Sequence, residues 1–166
     1  MAAIDRAIAL CGRTVDYAQS DQSARRARVA LRPLVAEAAS ALAEPRGVAV
    51  EIVAGDDAAV SGDRNQLFRV FANLIGNAAE AGAKHVRVEA VASGDTLTVT
   101  VSDDGSGIPN DVKDTLFTPF ARSSRPGGSG LGLAIVRETL HAHGGDILLA
   151  ASGPKGTTFR LRLPLG

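Results

Sequence analysis

The sequence predicts a two-layer α/β sandwich with a mixed β-sheet and about three helices. Segments in which apolar and polar residues alternate, typical of strands, are interspersed with segments of helical periodicity. Several neighbouring strands are joined by short Gly-, Ser- or Pro-containing turns, as in hairpins. Strands and helices that intermix in this way build a sheet with helices packed against it. The 166 residues suffice for one such domain and a short appended element.

Composition excludes several classes of protein. Eighteen basic and eighteen acidic residues cancel, and no basic tract indicates binding to nucleic acid. The single cysteine, Cys11, excludes an internal disulfide framework and is typical of a reducing compartment. Charged residues interrupt every apolar stretch before it reaches the ~18 residues of a spanning helix. We therefore expect a cytoplasmic domain whose only membrane attachment would come from a parent protein.

The N-terminal residues have the pattern of a coiled-coil helix. Apolar residues recur at alternating spacings of four and three, and the polar stretch 20–28 that follows predicts a linker. We assign residues 1–24 to the end of a dimerisation-type helix with its linker, and residues 25–166 to the main domain. An ordinary amphipathic helix packed on its own domain is the alternative. The apolar positions are Ile4, Ile8, Cys11, Val15 and Ala18.

The main domain is predicted to alternate between strands and helices. Asp63 followed by Gln66 resembles a capping box at the start of a helix. The segment 105–130, rich in Gly, Ser and Pro, predicts little regular structure. The predicted strands are 29–31, 48–52, 85–92, 96–102, 147–150 and 158–163, and the predicted helices are 33–44, 63–80 and 131–143.

Three segments carry candidate chemistry, and the first lies on the 63–80 helix. Asn73, Asn77 and Glu80 are spaced four and three apart, so they share one helix face. A carboxamide oxygen is a suitable ligand for Mg²⁺ that carries nucleotide phosphates. Helical asparagines also serve as caps or bond to a neighbouring loop, so this segment alone does not establish a Mg²⁺ site.

The second segment, 101–109, places an acidic pair at a strand end before a glycine turn. The Asp103 carboxylate can accept a hydrogen bond from an exocyclic amine such as that of adenine. Gly105 and Gly107 permit positive φ and close approach of a ligand. A plain surface turn is the alternative.

The third segment, 127–136, is a glycine-rich stretch that leads into a helix. Its free backbone N–H groups and the positive end of the helix dipole form an anion site suited to phosphates. A long polar loop precedes it instead of a strand, which argues against a dinucleotide-binding motif.

In this order, the three segments resemble the N, G1 and G2 boxes of the GHKL ATP-binding superfamily in its histidine kinase branch. Leu116-Phe117-Thr118-Pro119-Phe120-Ala121-Arg122 is similar to the kinase F box, and 156–164 resembles the closing strand. The resemblance covers about residues 30–165. It implies the ATP-binding catalytic domain of a two-component sensor histidine kinase, with ATP and Mg²⁺ as cofactors. The implied partners are a dimerisation domain that carries the phosphoacceptor histidine, and a response regulator.

The resemblance also implies residue roles. Asn77 would coordinate Mg²⁺, Asn73 would support that site, and Arg122 would reach the terminal phosphate. Asp103 would pair with the adenine amine, and Thr158 would contact adenine through water. Segment 109–127 would be a lid that nucleotide orders. The remaining implied nucleotide-binding residues are Gly105, Gly107, Ile108, Phe120, Gly128, Ser129, Gly130, Leu131, Gly132 and Leu133.

Two positions depart from common members of the superfamily. Glu80 stands where many kinases of the branch carry a lysine, as in a kinase subgroup that lacks it. Asn73 stands where the hydrolases carry a glutamate that positions water, and an amide is a poor base. We therefore expect feeble ATP hydrolysis. A regulatory pseudokinase and an anti-sigma-type serine kinase are the alternative functions.

The phosphoacceptor is not expected within this chain. His85 begins a predicted strand, and His141 and His143 end a predicted helix before Gly144. None of them lies in a His-Glu context on a dimerisation helix. We expect each histidine to be exposed or to cap its local structure.

Overall fold

The computed structural model describes residues 26–120 and 130–166, and within them it confirms the predicted mixed α/β architecture. Five strands form the main sheet: β2 (Ala49–Val53), β4 (His85–Ser93), β5 (Thr96–Asp103), β6 (Asp146–Gly153) and β7 (Gly156–Pro164). Their order in the sheet is β2-β4-β5-β7-β6. Strands β2 and β4 pair in parallel, whereas the other neighbours are antiparallel, so the sheet is mixed.

Three helices cover one face of this sheet: α1 (Leu31–Leu42), α2 (Arg64–Glu80) and α3 (Gly132–Ala142). Helix α2 packs between α1 and α3. Its apolar side is buried along its whole length, and Phe71 is fully buried. Alternate residues of β5 and β7 enter the same core, as their period of two requires. The apolar stripes of the helices and one face of the sheet therefore form a single core.

Helix boundaries follow local chemistry. The Asp63 side chain accepts a hydrogen bond from Gln66 N–H at 3.0 Å, which confirms the predicted cap of α2. Helix α1 begins at Leu31, two residues earlier than predicted. Pro33 lies within the first turn, where its missing N–H costs nothing because that position has no acceptor in the helix.

The predicted strand 29–31 is present in part, but it belongs to a small second sheet that was not predicted. Strands β1 (Ala27–Ala30) and β3 (Ala59–Gly62) pair antiparallel, and Val60 also bridges to Leu165. Strand β3 is four residues long and contains Ala, Ser and Gly, so it has almost no strand pattern. Its partners supply the structure that its own sequence does not specify.

The segment after the acidic pair contains more structure than predicted. A 3₁₀ helix spans Asn110–Thr115 and buries Val112. Phe117 then packs edge-on against Phe159, with ring centroids 6.2 Å apart, and the Arg137 guanidinium lies 5.7 Å from the Phe117 ring centre. These anchors fasten this part of the segment to the sheet and to α3.

The predicted coiled-coil helix lies outside the described residues, so the division at residue 24 stays a prediction.

Candidate nucleotide site

Helix α2 links the candidate segments physically. Near its middle, a Cβ atom added to Gly132 would lie 3.0 Å from Asn73 Oδ1, so the start of α3 packs closely on this asparagine. At its end, Ser106 N–H donates to the Ala81 carbonyl at 3.1 Å. Asn77 lies one turn after Asn73 and one turn before Ala81. The asparagine predicted to bind metal therefore lies between the G2 and G1 segments.

The two asparagines of α2 have different surroundings. Asn73 Nδ2 donates to the Arg69 carbonyl at 2.9 Å, which directs its oxygen toward Gly132. Asn73 and Asn77 are both half-buried, whereas Glu80 at the end of the helix is exposed. The structure thus brings Asn73 against the helix predicted to bind phosphate.

Asp103 ends strand β5 on the core side of the sheet. Its Oδ1 accepts a hydrogen bond from Gly105 N–H at 2.8 Å, and its side chain is half-buried. In the β5–β7 ladder Asp103 lies opposite Thr157, which is buried. The carboxylate is therefore held at the mouth of the space between sheet and helices.

The structure does not support the contact predicted for Thr158. Thr158 lies opposite Ser102, and their hydroxyl oxygens are 3.1 Å apart. Because side chains alternate along a strand, both point to the outer face, away from Asp103. Thr157 occupies the inner position instead. A single sequence fixes no register for β7, so only the structure shows that Thr157 is the threonine on the side of Asp103.

Asp104 has a different role from its neighbour. Its carboxylate accepts hydrogen bonds from Lys84 N–H at 2.7 Å and His85 N–H at 2.9 Å, and Oδ2 lies 2.8 Å from His85 Nδ1. These bonds lower the pKa of Asp104 from 3.8 to about 2, and the bond from the His85 backbone N–H is the largest cause. The side chain remains exposed to solvent.

The glycines of the G1 segment permit close backbone packing. A Cβ atom on Gly105 would lie 2.7 Å from Ala81 Cβ, and one on Gly107 would overlap the carbonyl of Gly153. Gly107 also has φ +78°, which a side chain would disfavour. The space beside these glycines is thus filled by protein. The contact of these glycines with the base stays a prediction.

Ile108 packs against the main core, and its N–H donates to Ser152 Oγ at 2.7 Å. A cleft of about 490 Å³ lies beside it, lined by residues 106–110, Lys113 and 152–154. This lining includes neither Asn77 nor Asp103.

The start of α3 offers backbone donors. Gly130 has φ +66°, and the N-cap position is occupied by Leu131, whose aliphatic side chain cannot cap the helix. Leu131 is buried, and Gly132 and Leu133 are half-buried. Buried Leu131 anchors the start of α3, which lies against Asn73 at Gly132, and the N–H groups of its first turn can donate to an anion.

The remaining predicted residues lie in or beside the segment outside the described range. Phe120 is 72% exposed and has φ +56°, which is uncommon for a residue with a side chain. It makes no core contact of the kind that Phe117 makes. Arg122, Gly128 and Ser129 lie outside the described residues, so their roles stay predictions.

The three histidines differ from one another. His85 and His141 are exposed and pair with Asp104 and Asp146, as local interactions at their element ends. His143 is 1% exposed, so of the two expected environments, exposure and local capping, it has the second. Its Nε2 accepts from Asp63 N–H at 3.0 Å, and its Nδ1 donates to the Thr139 carbonyl at 2.7 Å. It joins the start of α2 to the end of α3.

Asn77, the start of α3 and Asp103 together fit a magnesium–nucleotide complex. Among the described residues, no three His, Cys, Asp or Glu side chains cluster as a metal site. A metal at Asn77 would thus share its ligands with phosphate oxygens, as Mg²⁺ commonly does. The helix start supplies anion donors, and Asp103 supplies an acceptor for an amine.

Comparison with known proteins agrees with this chemistry. Residues 62–166 match the family of histidine kinase-, DNA gyrase B- and HSP90-like ATPases. Over 106 residues the chain is 43% identical to the signal transduction histidine-protein kinase AfsQ2 of Streptomyces coelicolor, covering 61% of this chain and 20% of that protein. Over 108 residues it is 46% identical to the C4-dicarboxylate transport sensor protein DctB of Rhizobium meliloti, covering 61% and 17%.

Solved structures show the same fold. The mycobacterial sensor histidine kinase MprB superposes with a TM-score of 0.72 at 29% identity, covering 84% of this chain and 97% of that one. Full-length ShkA in complex with AMPPNP superposes with a TM-score of 0.74 at 26% identity, covering 86% and 31%.

The fold and the site thus define an ATP-binding α/β domain. The chain belongs to the family of histidine kinase-, DNA gyrase B- and HSP90-like ATPases, and its relatives are sensor histidine kinases. It spans about a fifth of the length of the curated relatives named above. None of the helices in residues 26–120 and 130–166 is long and apolar enough to span a membrane.

Proposed function

We propose that this chain is the ATP-binding catalytic domain of a two-component sensor histidine kinase. It would transfer the γ-phosphate of ATP to a histidine on a dimerisation domain of the same kinase, from which a response regulator would receive it. The arrangement along α2 carries the proposal. The helix meets the G2 segment at Asn73 and the G1 segment at Ala81, with Asn77 between them.

Asp103 is the base-reading residue of the proposal. Its position at the mouth of the sheet–helix space and its bond to Gly105 support this role, because the carboxylate is held in one place. An exocyclic amine donates to such a carboxylate, whereas a carbonyl at the same ring position is repelled. Thr157, beside it on the inner face, is the threonine that we propose to contact the base directly or through water.

Asn77 would hold Mg²⁺, which would shield the charge of the phosphates. Asn73 would fix the start of α3, and the first-turn N–H groups there would donate to phosphate oxygens. Arg122 remains the proposed contact for the terminal phosphate, since a guanidinium binds phosphate oxygens in pairs. Phosphoryl transfer to an imidazole requires mainly this positioning and charge stabilisation.

The acceptor would come from another domain. His143 is buried, with both ring nitrogens bonded, and His141 lies with Asp146 at the far end of α3 from Gly132. His85 is tied to Asp104 at the start of β4. These environments support transfer to a histidine outside the described residues.

The test is phosphoryl transfer in trans. Incubated with labelled ATP, Mg²⁺ and the dimerisation domain of the parent kinase, the chain should place acid-labile phosphate on that domain's histidine. Labelling should be slow, because the effective concentration provided by a tether is lost. The chain alone should incorporate no label and release little inorganic phosphate. Labelling of His85, His141 or His143, or brisk hydrolysis that Asn73→Ala removes, would contradict the proposal.

A further inference from the structure

Asp104, which follows the proposed base-reading residue Asp103, is bonded to the start of β4. Asp104 accepts from two consecutive backbone N–H groups, those of Lys84 and His85, and from the His85 ring. Its own N–H donates to the His85 carbonyl at 3.3 Å. We call this set of four bonds among Lys84, His85 and Asp104 the β4 clamp.

The clamp lies where the β4–β5 ladder ends. The last residue pair of the ladder joins Val86 to Asp103. Beyond it the chain turns into the G1 segment, and only the clamp continues the pairing between the two strands. Side-chain alternation puts Asp104 on the opposite side of the chain from Asp103, so Asp104 does not face the nucleotide.

The clamp also borders helix α2. Residues 81–85 connect this helix to β4, and the G1 segment touches the same connection through Gly105 and Ser106. The connection therefore carries contacts from three consecutive residues of the G1 segment. These contacts link Asp103 to helix α2, which carries Asn77. A substitution of Asp104 would remove the part of this link that lies next to Asp103.

We propose that Asp104, fastened by the β4 clamp, is a positioning residue that fixes the Asp103 carboxylate for recognition of the adenine amine. This inference rests on the proposed function, since it assigns a support to the base-reading residue of that site. The Asp104 carboxylate is bonded to Lys84 and His85. Its effect is exerted through Asp103, and the two residues should therefore act as one unit in binding.

The test is a double-mutant cycle with two nucleotides. ADP carries the amine, whereas IDP carries a carbonyl at the same ring position and shares the sugar and phosphates. Binding of each to the full chain with Mg²⁺ is measured by calorimetry for wild type, Asp104→Ala, Asp103→Asn and the double variant. Asp104→Ala should weaken ADP about tenfold, as for one charge-assisted bond, and leave IDP within about twofold. The double variant should bind ADP no more weakly than Asp103→Asn, because residues that act as one unit are not additive.

Two further variants separate positioning from simple loss of structure. His85→Ala removes only the ring contact and keeps both backbone donors, so its effect on ADP should be smaller, about two- to threefold. Asp104→Asn keeps an oxygen for the backbone donors and should recover most of the affinity that alanine loses. If the alanine variant fails to fold, as judged by circular dichroism, His85→Ala provides the measurement, and its loss should appear with ADP and not with IDP.

The outcomes separate this inference from the proposed function. Equal weakening of ADP and IDP by the Asp104 variants, or additive losses in the cycle, would overturn the positioning role. In that case Asp103→Asn should still weaken the binding of ADP more than that of IDP. If Asp103→Asn itself weakened both nucleotides equally, the base-reading assignment would fail, and this inference would fail with it.

Discussion

The proposed base end of the site is a loop held by close-packed glycines and by the Asp104 carboxylate, whereas the proposed phosphate end consists of helix side chains and the start of a second helix. At the base end, Gly105, Gly107 and Asp104 fix the loop against α2, β4 and the β6–β7 hairpin. At the proposed phosphate end, Asn73 lies against the start of α3 at Gly132, and Asn77 follows it by one turn of α2. Substitutions should therefore impair nucleotide selectivity at the first end and metal-dependent chemistry at the second.

The largest expected effect is at the metal position. Asn77→Ala should lower phosphoryl transfer to the dimerisation domain by about 100-fold or more, since even residues that only support metal ligands cost 10- to 100-fold. Wild-type affinity for ADP should fall when Mg²⁺ is removed, and that of Asn77→Ala should not. Calorimetry with and without Mg²⁺ measures this. Affinity of wild type that is independent of the metal would remove the role assigned to Asn77.

The next effect is at the base end. Asp103→Asn should weaken ADP about 10- to 150-fold, as expected for loss of a charge-assisted hydrogen bond of ~1.5–3 kcal/mol. The amide can present a donor to the adenine amine, whereas the carboxylate is an acceptor only. Guanine nucleotides should be affected less. Equal losses for adenine and guanine nucleotides would show that Asp103 does not read the base.

A smaller effect is expected where α3 approaches α2. Gly132→Ala places a methyl group 3.0 Å from Asn73 Oδ1, so the helix start or the carboxamide must shift by a few tenths of an ångström. Because this moves phosphate donors, ADP affinity should fall about fivefold, or ~1 kcal/mol. AMP and ADP titrations report it, since AMP lacks the terminal phosphate. A similar loss for both nucleotides would place the effect away from the phosphates.

Gly76→Ala is the matched control for that variant. Gly76 lies inside α2 between the two asparagines, and an added Cβ would meet only Leu42 Cδ1, at an ordinary 3.8 Å. Replacing glycine by alanine inside a helix stabilises it by about 0.5–1 kcal/mol. Urea unfolding should show this gain, and nucleotide affinity should stay unchanged. A loss of affinity would mean that the backbone at Gly76 needs its glycine.

The smallest effect concerns acid stability and the β4 clamp. Asp104 has a pKa of about 2 in the native state against an ordinary 3.8, so below about pH 4 the unfolded chain takes up a proton first. The stability contributed by this carboxylate is complete above that range and is lost as the pH falls toward 2. Urea unfolding of wild type and Asp104→Asn should therefore differ at pH 6 and converge near pH 2. A difference that does not change with pH would contradict the contribution of the charge.

Sequence patterns predicted the elements that carry strong periodicity. Helix α2 and its Asp63 cap, the β4–β5 hairpin and α3 lie close to their predicted positions. Strand β3 was missed because pairing with β1 and Leu165 sets its conformation. The order of residues 110–117 was not predicted, because tertiary contacts of Val112 and Phe117 hold this segment rather than local propensity.

At the site, the order of the motifs identified the three candidate segments, but it did not show in which direction their side chains point. Thr157 and Thr158 are adjacent, and only the register of β7 against β5 shows which one lies beside Asp103. Asp104 appeared equivalent to Asp103 in sequence, yet the structure gives it a separate set of bonds. Register and long-range hydrogen bonds are absent from a single sequence, so these assignments required the fold.

The buried imidazole of His143 provides a built-in spectroscopic probe of the domain. Thr139 O can only accept, so Nδ1 carries the proton, and Nε2 accepts from Asp63 N–H. The two ring nitrogens should therefore give distinct ¹⁵N resonances of a single neutral tautomer. Any motion that separates the start of α2 from the end of α3 would break one of these bonds and merge or shift the signals. Nuclear magnetic resonance of one side chain could thus follow the relative movement of the two helices that flank the phosphate end during nucleotide binding.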